Sequence, residues 1–168
     1  VRVDYFHPKS SYPLDLRNPT KNPNFPNAGD LKRAKTKLQI SPRLGISFPI
    51  TDQGILHFSY GHFFQIPSFE NLYRNSDYLV TQSSTLSNIT GNPDLEAQRT
   101  IMYELGLQQV LFTNIGLDFT VYYRDIRNLL GMEIINTYEG IKYARFINRD
   151  YSKVKGFILS LDRRFADF

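Results

Sequence analysis

Hydrophobic and polar side chains alternate along several segments of this chain. In residues 38–48 the odd positions are polar or small, and the even positions are Leu38, Ile40, Pro42, Leu44, Ile46 and Phe48. Successive side chains of a β-strand point to opposite faces. A period of two therefore predicts a strand with one apolar face and one polar face.

Four later stretches repeat this alternation. Their apolar positions are Leu56, Phe58, Tyr60 and Phe64, then Ile101, Tyr103, Leu105 and Leu107, then Leu117, Phe119, Val121 and Tyr123, and finally Phe157, Leu159, Leu161 and Phe165. Short turns around residues 51–54 and 112–114 join neighbouring stretches as hairpins. The pattern predicts an all-β protein, an antiparallel meander of about six strands.

The remaining connections are long and rich in Pro, Asn and Ser. They cover roughly residues 7–36 and 65–97, with a shorter arm around residues 127–143, so long loops are expected at one end and short turns at the other. Compact soluble domains seldom contain two such loops, whereas outer-membrane barrels do. The alternating segments also have the length of about 9 to 11 residues that a tilted membrane-spanning strand needs. We predict part of a transmembrane β-barrel wall.

The alternation alone leaves the partner of the apolar face open, because either lipid or a soluble core could cover it. The Ser, Gly, Thr and Gln side chains of the other face suit a hydrated lumen and also an ordinary solvated surface. Aromatic pairs at the strand ends, Phe63-Phe64 and Tyr122-Tyr123, suit the girdles of a membrane barrel. They also suit ordinary strand packing.

Composition narrows the classes of partner. The chain has 11 Tyr and 13 Phe among 168 residues and no Cys, so it forms no disulfide or thiolate metal site. No apolar run is long enough for a transmembrane helix. The net charge of +4 comes partly from residues 32–37, which fit a solvated loop or attraction to phosphates on lipid head groups or nucleic acid. Nothing else supports nucleic acid, and no nucleic-acid partner is predicted.

Five segments carry a family resemblance: residues 41–49 (SPRLGISFP), 58–67 (FSYGHFFQIP), 91–96 (GNPDLE), 119–126 (FTVYYRDI) and 154–161 (VKGFILSL). In this order they resemble the barrel wall of TonB-dependent receptors, particularly those of Bacteroidota-type bacteria. The resemblance implies a plugged barrel of about 22 strands in the bacterial outer membrane. Such a barrel would bind and import a scarce ligand, such as a siderophore, cobalamin or a glycan-derived solute, with energy from TonB.

Residues 1–168 are then expected to be a partial barrel, incomplete at both ends and without the plug domain or the segment that contacts TonB. The implied partners are outer-membrane lipid, a small-molecule or oligosaccharide ligand, and TonB through the missing N-terminal region. No cofactor is predicted. Two other functions stay open at this point, the wall of a passive porin or adhesin barrel and a soluble β-domain that binds a partner through its loops.

Ligand contact would fall on the extracellular loops, and the candidate ligand-binding residues are Phe69, Tyr73, Arg74 and Tyr78. An alternative is that Phe69, Leu72 and Tyr73, spaced as on a helical turn, pack a loop helix onto the barrel rim.

Chemistry other than ligand binding finds little support. His57 and His62 should project from opposite faces of one strand, which argues against a metal site. Glu104, Asp118 and Asp162 are expected on the polar face, where a hydrated lumen wall explains them. No spacing pairs a nucleophile with a base, and the protein is not expected to be an enzyme.

Overall fold

A computed structural model describes residues 1–81, 88–112 and 114–163 of the chain. The described strands are β1 (Arg2–Phe6), β2 (Ser11–Pro13), β3 (Leu31–Arg33), β4 (Lys37–Ser41), β5 (Arg43–Thr51), β6 (Gly54–Gln65), β7 (Ile89–Thr90), β8 (Gln98–Leu111), β9 (Ile115–Asn136) and β10 (Lys142–Arg163), and one helix, α1, covers Phe69–Tyr73. Among these residues, no helix combines the length and apolar character needed to cross a membrane.

The largest sheet has six strands in the order β5-β6-β8-β9-β10-β7. Strands β5, β6, β8, β9 and β10 pair antiparallel with their neighbours, which confirms the predicted meander. Strand β7 adds only two residues, parallel to β10. The pairs β1-β4 and β2-β3 form two small separate sheets. The short turns lie at one end of the large sheet and the long connections at the other.

The register aligns the apolar side chains in rows across the five long strands. Ile46, Phe58, Leu105, Val121 and Phe157 are successive partners in one such row. Their exposed fractions range from 36% for Phe58 to 71% for Phe157. A contiguous apolar surface of this kind marks contact with a membrane or another protein.

A row of tyrosines borders this apolar surface on the side of the long connections. Tyr60, Tyr103 and Tyr123 are register partners, with ring centroids 5.0 and 6.2 Å apart. Lys155 completes the row, and its Nζ lies 5.8 Å from the Tyr123 ring centroid. Of the predicted aromatic pair Tyr122-Tyr123, only Tyr123 belongs to the row, because neighbouring residues of a strand point to opposite faces.

The prediction of a third loop around residues 127–143 was wrong. Strand β9 continues to Asn136 and β10 begins at Lys142, so the connection is residues 137–141. Two register shifts, between Asn148 and Asp150 and between Asp150 and Ser152, interrupt the pairing of β9 with β10. Bulges of this kind break strict alternation in the sequence, and the extension of the hairpin was therefore missed.

Pro42 divides the strand that was predicted over residues 38–48. The segment before it, β4, pairs with β1, and the segment after it, β5, pairs with β6. Proline has no N–H to donate to a sheet, although the Pro42 carbonyl still accepts a bond of 2.9 Å from His62 N. The chain therefore changes its pairing partner at Pro42.

Candidate functional site

The long connections pack together at the end of the sheet opposite the short turns. We call residues 7–36, 66–81, 88–97 and 137–145 the loop cap. Side-chain hydroxyls join segments that are far apart in sequence: Tyr143 donates to Leu16 O at 2.6 Å, and Tyr73 donates to Pro8 O at 3.0 Å. The loop cap is therefore a folded unit with defined internal contacts.

Residues 91–96, one of the segments that carry the family resemblance, form the centre of this unit, and we call them the hub. Gly91 lies so close to α1 that its N–H donates to Arg74 O at 2.6 Å. A Cβ at position 91 would lie 2.7 Å from both Arg74 N and Leu72 O. Only glycine allows this approach of the two backbones.

Asn92 and Arg145 join the hub to β10. The Asn92 amide donates to Phe146 O at 3.0 Å, and its Oδ1 accepts from Arg145 Nη2 at 2.8 Å. Arg145 is only 7% exposed, and its guanidinium lies 5.0 Å from the Tyr12 ring centroid. Arg145 thus connects the hub, the β10 strand and the first long loop.

Asp94 and Glu96 hold Lys37 in a second polar contact. Lys37 Nζ lies 3.2 Å from Asp94 Oδ1 and 2.6 Å from Glu96 Oε1, and the Lys37 side chain is largely buried. Asp94 also accepts hydrogen bonds from Lys35 N at 2.9 Å and from the Tyr12 hydroxyl at 3.2 Å. The Asp94 carboxylate therefore contacts Tyr12 and Lys35 of the first long loop and Lys37 of β4.

These contacts shift the pKa values of both partners. Burial alone would raise the pKa of Asp94, but the hydrogen bonds from Lys35 and Lys37 outweigh it, so the pKa lies below its ordinary 3.8. Burial alone would lower the pKa of Lys37, but the bonds to Glu96 and Asp94 outweigh it and raise that pKa above 10.5. Each partner favours the charged form of the other.

The direction of these shifts predicts how the loop cap responds to pH. A lowered pKa of Asp94 gives stability that is fully present above pH 3.8 and is lost as the pH falls through the folded-state pKa. The raised pKa of Lys37 gives stability that is lost only above pH 10.5. The mobility of a spin label attached at Lys32→Cys should therefore stay constant around neutral pH and increase as the pH falls below 3.8. The chain contains no Cys of its own.

The same label in an Asp94→Asn background is the control. Because asparagine does not titrate, the acid transition should disappear and the label should be mobile already at neutral pH. An acid transition that persists unchanged in this background would show that another group controls the loop cap.

A small apolar cluster lies beneath the polar contacts. It is made of Leu72, Leu95 and Phe146, with Phe6, Tyr73 and Ile89 packed around it. Leu72 from α1 is 1% exposed. The alternative interpretation, in which Phe69, Leu72 and Tyr73 pack a loop helix onto the rim, is therefore confirmed for Leu72 and Tyr73, whereas Phe69 is exposed and lies outside this cluster.

The four predicted ligand-binding residues occupy different environments. Phe69 projects from α1 with 69% of its surface exposed, and its ring centroid lies 6.1 Å from that of Tyr73. Arg74 is partly exposed and pairs with Glu70 at 3.0 Å. Tyr78 is buried, donates to Gly91 O at 3.4 Å, and has a pKa raised by burial. Phe69, Tyr73 and Arg74 are thus grouped on α1 and its C-cap, whereas Tyr78 lies inside the loop cap.

Sequence reasoning missed Arg145, Lys37 and Asp94 as a connected set. The family resemblance of residues 91–96 is a sequence signal for this set, but it does not indicate which residues contact them. The basic residues 32–37 do not form one solvated run, because Lys32 and Arg33 are exposed whereas Lys37 is buried in its ion pairs with Asp94 and Glu96.

The polar face of the sheet carries hydrogen-bonded side chains below the loop cap. Ser59 Oγ donates to Glu104 Oε2 at 3.2 Å, and Gln108 Nε2 donates to Asp118 Oδ2 at 2.9 Å. His57 covers Gly106 on this face. Within the described residues, no three histidine or acidic side chains are grouped as metal ligands. The predicted carboxylates Glu104 and Asp118 lie on a hydrophilic surface with polar neighbours.

Known proteins share this architecture. A family model described as TonB dependent receptor-like, beta-barrel matches residues 1–167. No curated protein matches the chain.

Three solved receptors each match about four fifths of this chain. The siderophore receptor PirA from Pseudomonas aeruginosa matches with a TM-score of 0.58 and 19% identity over 79% of this chain and 26% of its own. A ferric enterobactin receptor mutant from Pseudomonas aeruginosa, in complex with enterobactin, matches with a TM-score of 0.62 and 18% identity over 82% of this chain and 21% of its own. A double mutant of the hemophore receptor HasR from Serratia marcescens, with its hemophore HasA and heme, matches with a TM-score of 0.54 and 20% identity over 79% of this chain and 21% of its own.

This chain thus spans about a fifth to a quarter of the length of these receptors. The more specific assignment to Bacteroidota-type receptors stays a prediction. The apolar face and the polar face of the sheet and the loops gathered at one end agree with the family match over almost the whole sequence. The chain belongs to the TonB-dependent receptor β-barrel family.

Proposed function

We propose that this chain forms part of the barrel wall and the extracellular loop cap of a bacterial outer-membrane receptor that imports a scarce iron carrier. The wall separates lipid from a hydrated lumen, and the loop cap binds the ligand before it enters. TonB supplies the energy through a region outside this chain. The matched structures support the ligand class, since they are receptors for siderophores or for a hemophore with heme.

The observation that carries this proposal is an exposed aromatic side chain on a firmly anchored helix. Leu72 fixes α1 in the apolar cluster, while Phe69 on the same helix remains 69% exposed. A rigid aromatic group contacts a ligand at low entropic cost and often dominates binding. Arg74 at the end of the helix adds a positive charge that can meet an anionic chelate.

On the exposed side of α1, Phe69 and Arg74 contact the ligand directly, and the Tyr73 ring packs beside Phe69. Tyr78 acts from inside by holding the hub, because its hydroxyl bonds to Gly91 O. Cobalamin and glycan-derived solutes are the next ligand classes to test on the same surface.

Replacing Phe69 by alanine should weaken ligand binding by about tenfold, since truncation of a contact aromatic typically costs more than 1 kcal/mol. The complete receptor that carries this chain would be titrated with ferric enterobactin, heme, cyanocobalamin and an oligosaccharide, and affinity measured by calorimetry. Uptake of labelled iron by cells that depend on this receptor would give an independent readout.

Phe48→Ala is a matched control, because Phe48 has a similar exposed fraction, 64%, but lies in β5 on the apolar face near the short turns. It should leave affinity unchanged. Equal affinity of the Phe69→Ala and Phe48→Ala receptors would remove α1 from the ligand site. Binding of none of the iron carriers would refute the proposed ligand class.

A further inference from the structure

The apolar face of the wall becomes strongly charged just beyond the tyrosine row. Two residues past Tyr123 on the same face lies Asp125, with Lys153 opposite it in register. Two residues further, Arg127 lies opposite Arg99. The register between these strands is continuous from the tyrosine row to this point, so these side chains point to the same side as the apolar rows.

Cations outnumber anions in this patch, which we call the basic belt: Arg99, Arg127, Lys153 and Lys155 with Asp125. Asp125 is already engaged, because its Oδ1 lies 2.8 Å from Arg127 Nε. Lys153 and Lys155 are exposed, and Lys155 lies in the tyrosine row itself. Arg99 keeps a buried Nε with no hydrogen-bond partner among the described residues.

The order of the rows indicates which part of a membrane contacts the basic belt. An apolar band, then a row of tyrosines, then a group of cations is the order of hydrocarbon, interface and anionic head group along a membrane normal. Cations at a strand centre would cost several kcal/mol in lipid, but at the interface that cost falls to about 0 to 1 kcal/mol. Charges at this level are attracted to phosphates, each by about 1 kcal/mol.

We propose that the basic belt is a binding site for the phosphate of an anionic lipid head group in the outer leaflet. Lys153 and Lys155 are the exposed lysines of the site. The Arg127 guanidinium pairs with Asp125 and lies 5.2 Å from the Tyr151 ring centroid. These two contacts fix its position at the edge of the site. This site lies on the outside of the barrel and is separate from the ligand surface of the loop cap.

The test uses the complete receptor in mixed micelles of phosphatidylglycerol and phosphatidylcholine, with retained lipids counted by native mass spectrometry. Lys153→Gln combined with Lys155→Gln should reduce the preference for phosphatidylglycerol by about fivefold per lysine. Arg43→Gln combined with Arg124→Gln removes the same charge from the opposite face, where both arginines are register neighbours of polar-face residues. This control should retain the preference.

A preference for phosphatidylglycerol that survives the lysine pair, or that falls equally in both double variants, would overturn the proposal. Displacement of the lipid by inorganic phosphate alone at equal concentration would show a soluble anion site and would also overturn it. Retention of the heat-resistant folded band in gel electrophoresis verifies that the variants form barrels. Ligand uptake is measured separately, so failure of the lipid site leaves the proposed receptor function untouched.

Discussion

Replacing Arg145 by alanine in the complete receptor should release the loop cap from the wall. The guanidinium is buried, donates to Asn92 Oδ1 at 2.8 Å and lies 3.6 Å from Glu133 Oε1. Its loss leaves the buried Asn92 side-chain oxygen without its donor and removes the ion pair with Glu133, which together typically cost about 2 to 4 kcal/mol. Since about 1.4 kcal/mol is a factor of ten, amides of residues 88–97 should exchange with deuterium about a hundredfold faster, as measured by mass spectrometry.

Arg149→Ala is the control for this experiment. Arg149 lies four residues further along the same strand and is exposed, so its truncation removes the same side chain from the surface. Its exchange pattern in residues 88–97 should match that of the unmodified receptor. Similar acceleration in both variants would mean that Arg145 does not fasten the loop cap.

Replacing Gly91 by valine should separate the hub from α1. Even the first carbon of a side chain at this position would lie 2.7 Å from Arg74 N and Leu72 O, and both are backbone atoms that cannot rotate away. Such overpacking costs about 1 to 3 kcal/mol, and the hydrogen bond from Gly91 N to Arg74 O is lost with it. Trypsin should then cut the receptor after Arg74 at a rate raised about tenfold or more.

Gly45→Val is the matched control, because a Cβ at Gly45 has no atom within 4 Å and valine suits a strand. Cleavage after Arg74 should be unchanged in this variant. If Gly91→Val were cleaved no faster than Gly45→Val, the close approach of the hub to α1 would not hold the helix in place. Loss of ligand affinity together with faster cleavage would connect the hub to the position of Phe69.

The long strands of the wall could be predicted from the sequence because their cause is local. Each apolar position of the row, Ile46, Phe58, Leu105 and Phe157, belongs to a segment in which apolar and polar side chains alternate. Successive side chains of a strand point to opposite faces, so a period of two places all apolar side chains of a strand on one face. The short turns then require neighbouring strands to pair antiparallel. Pro42 shows where this reasoning ends, since a missing N–H indicates that pairing is interrupted but not which strand takes over.

The loop cap depended on contacts between distant parts of the chain. Arg145 and Asn92 are separated by 53 positions, and Lys37 and Asp94 by 57. No periodic pattern connects such residues, and each alone reads as an ordinary surface group. Tyr78 illustrates the consequence, because its aromatic ring in a polar loop suggested ligand contact, whereas the fold buries it against the hub.

Sequence alone thus determined the alternating segments at the centre of the wall strands, which face of each is apolar and at which end the long loops lie, because backbone geometry imposes these features on every strand. Tertiary structure decided how the loops close over that end and which polar residues hold them there. It also decided that the cations Lys153 and Lys155 lie beside and just beyond the tyrosine row, because register between strands is a property of their pairing and not of any single segment.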